Sequence, residues 1–579
     1  MSTLRTAVFL IPLLTIAAAP PQFMPLQDVR AGMQGTGRTV FAGSQVEEFK
    51  AEILGVLENV GPRQSIVLAR LSGGPLERTG VMQGMSGSPV YIGGKLLGAV
   101  AMAFPFSKEP IAGIRPIGEM MREAGPANRP SMRARLGDSS LLARLPAPSV
   151  PSPDQPVEIA TPLSLTGFTR STLDLFTPEL RKLGLVPVQG ISGGKLPRGT
   201  PAPPPPQPGS MVSVQLVTGD MAVGADGTVT HVDGNKIWAF GHRFLSAGTV
   251  DLPFTSASVV TLLPNVNTSF KISAAGSPLG AMTADYNAAI AGELGRKARM
   301  ASVEITVKGG RESKYQMSMA QDQLLSPLLL QMIVYSALDA SERTLGSSAI
   351  RVTGSAEFEG FRTPVRIDNM FSGDFNVPLV AAMGAALPVA YALQNTVDPL
   401  QVRSVNLTLE TTETKKQLSI ENVWTSRREV RPGEPLDIFV LMAGERGREI
   451  VKQIRYEVPV GAPAGPLTIQ VSDGPTANAA DGRVYTLAQP QPADQVIGML
   501  NQLRGSTKAW VRLTRSDPAY TLDGRDLPDP PPSVGMILSR LPAAQPALPR
   551  VAVTAELRVD PGDDVVITGS KTIQVEVRE

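Results

Sequence analysis

The chain of 579 residues contains no cysteine, which excludes disulfides, thiol nucleophiles and cysteine-built zinc sites. Histidine is almost as scarce: only His231 and His242 occur, so no histidine-rich metal site is expected, and no cofactor. Aromatic residues make up 5% of the chain, too few for a surface that stacks bases or sugars. Charge of one sign is lacking as well. With 54 basic against 52 acidic residues the formal net charge is +2, which gives no electrostatic footprint for nucleic acid. Long hydrophobic runs are missing beyond Val377 to Leu393, an uncharged stretch at the lower limit for a membrane span and better suited to globular packing.

What is present begins with Arg5, the apolar run from Ala7, and Ala17-Ala18-Ala19, the charge, apolar core and small residues of a secretory signal peptide. The expected location is therefore outside the cytoplasm: periplasmic, secreted or envelope-associated. Pro20 and Pro21 disfavour cleavage directly after Ala19, leaving an uncleaved anchor as the alternative. A length of this size predicts several domains, roughly three to five. Proline-rich stretches at 146–153 and 201–208 read as extended spacers around a small insert in which Pro178 to Gly184 forms a helical turn or two. Short runs of alternating apolar residues between glycine turns fill 26–125 and 209–310, with Met300 to Val307 closing the second module. Gln321 to Ala340 has helical spacing, and strands resume at Val402.

The segment Val81 to Gly98 draws the chemistry. Gly84-Met85-Ser86-Gly87-Ser88-Pro89 sets one serine among small residues, which suits a tight turn with converging N–H groups, and Val90 to Val100 reads as a hairpin turning at Gly93-Gly94. On such a turn Ser86 is a candidate nucleophile, and the N–H groups of Gly84 and Ser86 are candidate oxyanion donors. A plain Gly/Ser/Pro turn joining a hairpin is the bland alternative. The segment resembles the nucleophile segment of the SpoIVB-type family, the stage-four sporulation serine peptidases, and more distantly the G-x-S-G-G motif of chymotrypsin-like enzymes. The likeness runs from about Asp28 to Met120.

The stretch from Gly227 to Leu245 resembles the family's histidine segment, in which a strand delivers Gly-His at its end, here Gly241-His242. His242 is then the candidate general base, and His231, at the edge of a turn, reads as a surface residue. Two departures from the family stand out. Serine precedes histidine here, the reverse of the family order, which triads on unrelated folds tolerate. The family's aspartate before the serine falls near Ser72, where no carboxylate stands. Candidates for the orienting acid are Asp251 and Asp220 first, then Asp285 and Glu77, each with a turn cap or solvated charge as its bland reading.

The expected fold is mainly β: a chymotrypsin-like double β-barrel peptidase region, possibly permuted, followed by a helical insert and β-sandwich-like C-terminal domains. The expected division is a signal peptide (1–22), a module with the nucleophile motif (23–125), a proline-rich linker with a small insert (126–208), a module with the histidine motif (209–310), an α+β region (311–412), an immunoglobulin-like sandwich (413–475) and a C-terminal α+β region (476–579). The resemblance implies an exported serine endopeptidase acting on protein or peptide substrates through Ser86 and His242, with an envelope protein as a further partner and no membrane span beyond the signal segment. The alternative is an inactive homologue that serves as an envelope binding or scaffold protein; a generic β-sandwich adhesin would leave the paired motifs as coincidence.

Overall fold

The computed structural model describes residues 23–579 except 62, 105–106, 123–156, 191–203, 246, 267, 342–344, 396–399, 488–491, 523–524, 528–530, 539 and 541–547. The expected signal peptide and most of the two proline-rich stretches fall outside the described residues.

Six strands of the first module close on themselves. In chain order they are β1 (Gln34–Val40), β2 (Val46–Gly61), β3 (Gln64–Ser72), β4 (Pro89–Ile92), β5 (Lys95–Ala103) and β6 (Ile111–Pro116). Every neighbour is antiparallel around the ring β1-β2-β3-β6-β5-β4 and back to β1, which closes a six-stranded barrel. Alternating side chains fill it, among them Phe49, Ile53, Val67, Leu71 and Val100. Two single-turn helices, α1 (Leu76–Thr79) and α2 (Ile117–Met120), flank the strands. The β4–β5 hairpin turns at Gly93 and Gly94, both at positive φ, as the sequence predicts.

After β7 (Val157–Glu158), which adds to the β5 edge, a strand–helix–strand unit follows: β8 (Thr161–Thr166), α3 (Arg170–Lys182) and β9 (Leu185–Gln189), the two strands parallel. The helix is longer than the expected turn or two. Thr169 caps its start by accepting from Thr172 N, and Leu173, Phe176 and Leu180 are buried on one face, so packing carries the helix through Pro178.

A second ring follows, built from β10 (Met211–Gly219), β11 (Ala222–Asp233), β12 (Lys236–Ala239), β13 (Gly248–Leu263), β14 (Phe270–Asp285) and β15 (Ile290–Leu294). Antiparallel pairs run β10-β13-β14-β15-β12-β11 and return to β10, a second closed six-stranded barrel. The expected double barrel is thus observed, with one correction. Met300 to Val307, read as the closing strand, lies outside the ring in β16 (Met300–Lys308), because the short β15 already pairs on both sides with β12 and β14.

From the second barrel the sheet continues through β17 (Ser313–Ala320), β16, β20 (Val402–Thr412), β18 (Leu345–Phe358) and β19 (Val365–Phe375), with the helices α4 (Leu325–Asp339) and α5 (Val377–Leu393) in the same core. The uncharged run is therefore a buried helix, and among the described residues no helix is long and apolar enough to cross a membrane. The remaining strands form two sheets around one core that includes Leu436, Ile438, Leu467, Ile469, Val511 and Val575. Strand Gly465–Asp473 pairs with Ala509–Leu522 and Ser570–Val577, so this core draws on both sides of position 475.

Candidate functional site

Ser86 lies in the segment between α1 and β4, against the second barrel. The backbone carbonyls of residues 83–88 are all engaged. Met82 O accepts from Met85 N, Gln83 O from Lys271 N, Met85 O from Ser88 N, Ser86 O from Thr228 N and Ser88 O from Val100 N. Gly84 O and Gly87 O accept from the hydroxyls of Thr228 (2.9 Å) and Thr230 (2.7 Å). The N–H groups of Gln83, Met85, Gly87 and Ser88 donate to backbone carbonyls, whereas those of Gly84 and Ser86 donate to nothing among the described residues. From 83 to 88 every carbonyl is used and two N–H groups two residues apart are spared, the composition of an anion-binding turn. Its shape depends on glycine: Gly84 and Gly87 sit at φ +88° and +92°, and a Cβ at Gly87 would lie 2.0 Å from Thr228 O.

His242 follows β12. Phe240 and Gly241 before it both have positive φ (71° and 72°), a strained conformation for a phenylalanine, whose ring packs over Gly227. Thr228 of β11 joins the two motifs: its N–H and hydroxyl hold the serine segment, and its carbonyl accepts from Phe240 N at 3.2 Å. A Cβ on Gly241 would touch Ala99 and Ala101 of β5, the strand whose Val100 O accepts from Gly87 N. The serine of the first barrel and the histidine of the second are therefore carried on segments in contact with the same residues.

The ring Nδ1 of His242 is 2.7 Å from Arg243 O. A carbonyl only accepts, so Nδ1 carries the proton and Nε2 is the basic nitrogen. His242 Nε2 and Ser86 Oγ are both buried and have no hydrogen-bond partner, each other included. Burial holds the imidazole below its ordinary pKa, with the attraction of Glu158 and the Arg243 carbonyl opposing and Arg115 and Arg243 adding to the depression. The ring is consequently neutral at neutral pH, the form a base requires. Arg115 is itself buried, with Nε unpartnered and one 3.4 Å pair to Glu119. Glu158 pairs with Arg243 at 3.1 Å.

The acids proposed from sequence occupy different places. Asp251 bonds to Arg299 N (3.0 Å) and pairs with Arg296 and Arg299, while His242 Nδ1 is taken by the Arg243 carbonyl. Asp220 accepts from Gln316 N at 2.7 Å, and Glu77 is exposed. Asp285 is fully buried and accepts from Phe244 N, Leu245 N and Ala247 N at 2.7–3.0 Å, which makes it the cap of the turn that follows His242. The surface reading of His231 is corrected: it is buried, stacked on Trp238 and edge-on to Phe23, because the chain's first described residues fold over that hairpin.

Sequence reasoning missed Thr228, Arg115, Glu158 and Lys271. Only Lys271 had a local signal, a lone charge in an otherwise apolar strand start. Among the described residues no group of three or more His, Cys, Asp or Glu could hold a metal ion. Searches of curated proteins and of solved structures return no match. Residues 21–120, the stretch that includes the first barrel and Ser86, match the family model of SpoIVB peptidase S55, so this part of the chain is similar to the SpoIVB-type serine peptidases.

Proposed function

We propose that the protein is an exported serine endopeptidase of the SpoIVB type acting on protein substrates. The observation that carries the reading is the pair of N–H groups at Gly84 and Ser86, spared within residues 83–88, where every carbonyl is engaged. Ser86 Oγ attacks the scissile carbonyl carbon as His242 Nε2 takes its proton, and the oxyanion receives the two N–H groups. The imidazolium then protonates the leaving amine, and water repeats the sequence on the ester. One oxyanion donor is typically worth about 10²–10³ in rate. A cleft of about 610 Å³, bordered by Gln83, Phe104, Glu158, Ile159 and Ser269, opens next to the serine segment at Gln83 and offers room for an extended peptide, although neither Ser86 nor His242 lines it.

The buried state of Ser86 and His242 means that the substrate-bound conformation differs from this one, and the Nδ1 partner is a carbonyl in place of a carboxylate. These two features favour a second reading, an inactive envelope binding protein on the same scaffold. Labelling of the full chain with a fluorophosphonate separates them. Labelling that Ser86→Ala and His242→Ala both abolish supports the peptidase; folded wild-type protein that stays unlabelled supports the second reading.

A further inference from the structure

Lys271 is buried at the start of β14 with no part in the acyl-transfer scheme. Its Nζ donates to Thr39 Oγ1 of β1 at 2.8 Å, and the same oxygen accepts from Ser88 Oγ at 3.0 Å. Its backbone N–H donates to Gln83 O, and its side-chain carbons lie 3.2–3.4 Å from where a Cβ on Gly84 would stand. One residue of the second barrel thus touches the serine segment, at Gln83 through its backbone and at Gly84 through its side chain, and reaches Ser88 through Thr39. We propose that Lys271 is a positioning residue for the oxyanion-binding segment, tying Gly84 and Ser88 to the second barrel through Thr39. The catalytic part of this inference rests on the peptidase reading; the clamp itself does not.

The protonation state follows from the donors and acceptors present. An ammonium carries three N–H groups, and Thr39 Oγ1 is the one side-chain acceptor bonded to this one among the described residues. Leaving the others unsatisfied in a dry site is costly, so the clamp closes best on the neutral amine. The residues that face Lys271 from β1 and the serine segment, Thr39, Gln83, Gly84 and Ser88, are not titratable. Glu47, exposed on β2 opposite Thr39, attracts the ammonium, but burial prevails and the amine is pushed down to about 7. Asp226 of β11, bonded to Ser273 two positions along β14, is a further buried titratable group on this side. The neutral amine still donates one N–H to Thr39 Oγ1, which also accepts from Ser88 Oγ, and it leaves one N–H unsatisfied where the ammonium leaves two.

The test uses the full chain as wild type, Lys271→Met, Thr39→Val and Thr39→Ser, with two readouts. Hydrogen exchange over residues 80–90 reports the clamp without any catalysis. The expected result is exchange faster by about tenfold or more in Lys271→Met and Thr39→Val, no further change in the double variant, protection retained in Thr39→Ser, and residues 46–72 unchanged in all. Fluorophosphonate labelling reports the consequence at Ser86. At pH 8 the rate falls about 10–100-fold in Lys271→Met, as for other misplaced catalytic groups. The acid limb of the wild-type profile, centred near 7, moves in that variant to the lower value set by His242. Unchanged exchange at 80–90 in Lys271→Met overturns the clamp whether or not the protein labels. Faster exchange with an unaltered labelling rate and acid limb overturns the positioning role, and wild type that shows exchange protection but never labels overturns that role together with the peptidase reading, leaving the clamp standing.

Discussion

Asp226 sits sealed inside the second barrel, its carboxylate 2.5 Å from Ser273 Oγ and near Ser213. Burial raises its pKa above the ordinary 3.8, against the pull of the two serine hydroxyls. A raised native value favours the protonated form, so the stability it brings is complete below the unfolded value and is lost as pH rises through the native one. Asp226→Asn stays neutral throughout. The variant is expected to gain on wild type in thermal midpoint as pH is raised from 4 to 8, and a constant or shrinking difference would contradict the assignment. Lys271 titrates in the opposite sense. Its native value near 7 lies below the ordinary 10.5, so between these limits the unfolded chain binds more protons and stability rises with pH. Melting curves from pH 7 to 10.5 should show that rise in wild type and a smaller one in Lys271→Met.

The turn after His242 and the segment around Ser86 are held by different devices. Asp285 receives three backbone N–H bonds from the His242 turn, and hydrogen bonds to a charged group contribute about 1.5–3 kcal/mol each. Asp285→Ala should therefore cost about 3 kcal/mol or more in chemical denaturation and reduce Ser86 labelling. Retention of both values would show that the turn holds without its cap. In the serine segment the constraint is steric. Gly87→Ala places a Cβ within 2.0 Å of Thr228 O at φ +92°, and a loss above about 2 kcal/mol is expected in the same measurement. Gly93→Ala, also at positive φ but facing open space, serves as the comparison and should cost less.

Across the molecule, the two closed barrels share an interface sewn by backbone pairs Gly43 with Val259 and Gln83 with Phe270. The C-terminal half is organised around a core that strands before and after 475 build together. A fragment of 413–475 lacks the partners of strand Gly465–Asp473, so it should give a collapsed amide spectrum, whereas 413–579 should give a dispersed one. A dispersed spectrum from the shorter piece would mean that the first sheet suffices.

Local pattern was enough to read several elements. Alternation marks the barrel strands, Gly93-Gly94 marks their hairpin, and the uncharged run at 377–393 reads as globular core, because these depend on neighbours a few positions away; that the run is a helix came from the structure. Ser86, Gly84 and His242 were singled out from motifs of the same short range, and their catalytic roles stand as proposals. The pairing of β15 in place of Met300 to Val307, the burial of His231 under Phe23, and the choice among four acids depended on contacts between residues far apart in the chain. Thr228 and Lys271 show the same division most clearly. Nothing near either residue in the chain marks it as a partner of the serine segment, because that role exists only where the second barrel meets the first, and packing alone brings 228 and 271 to residues 83–88.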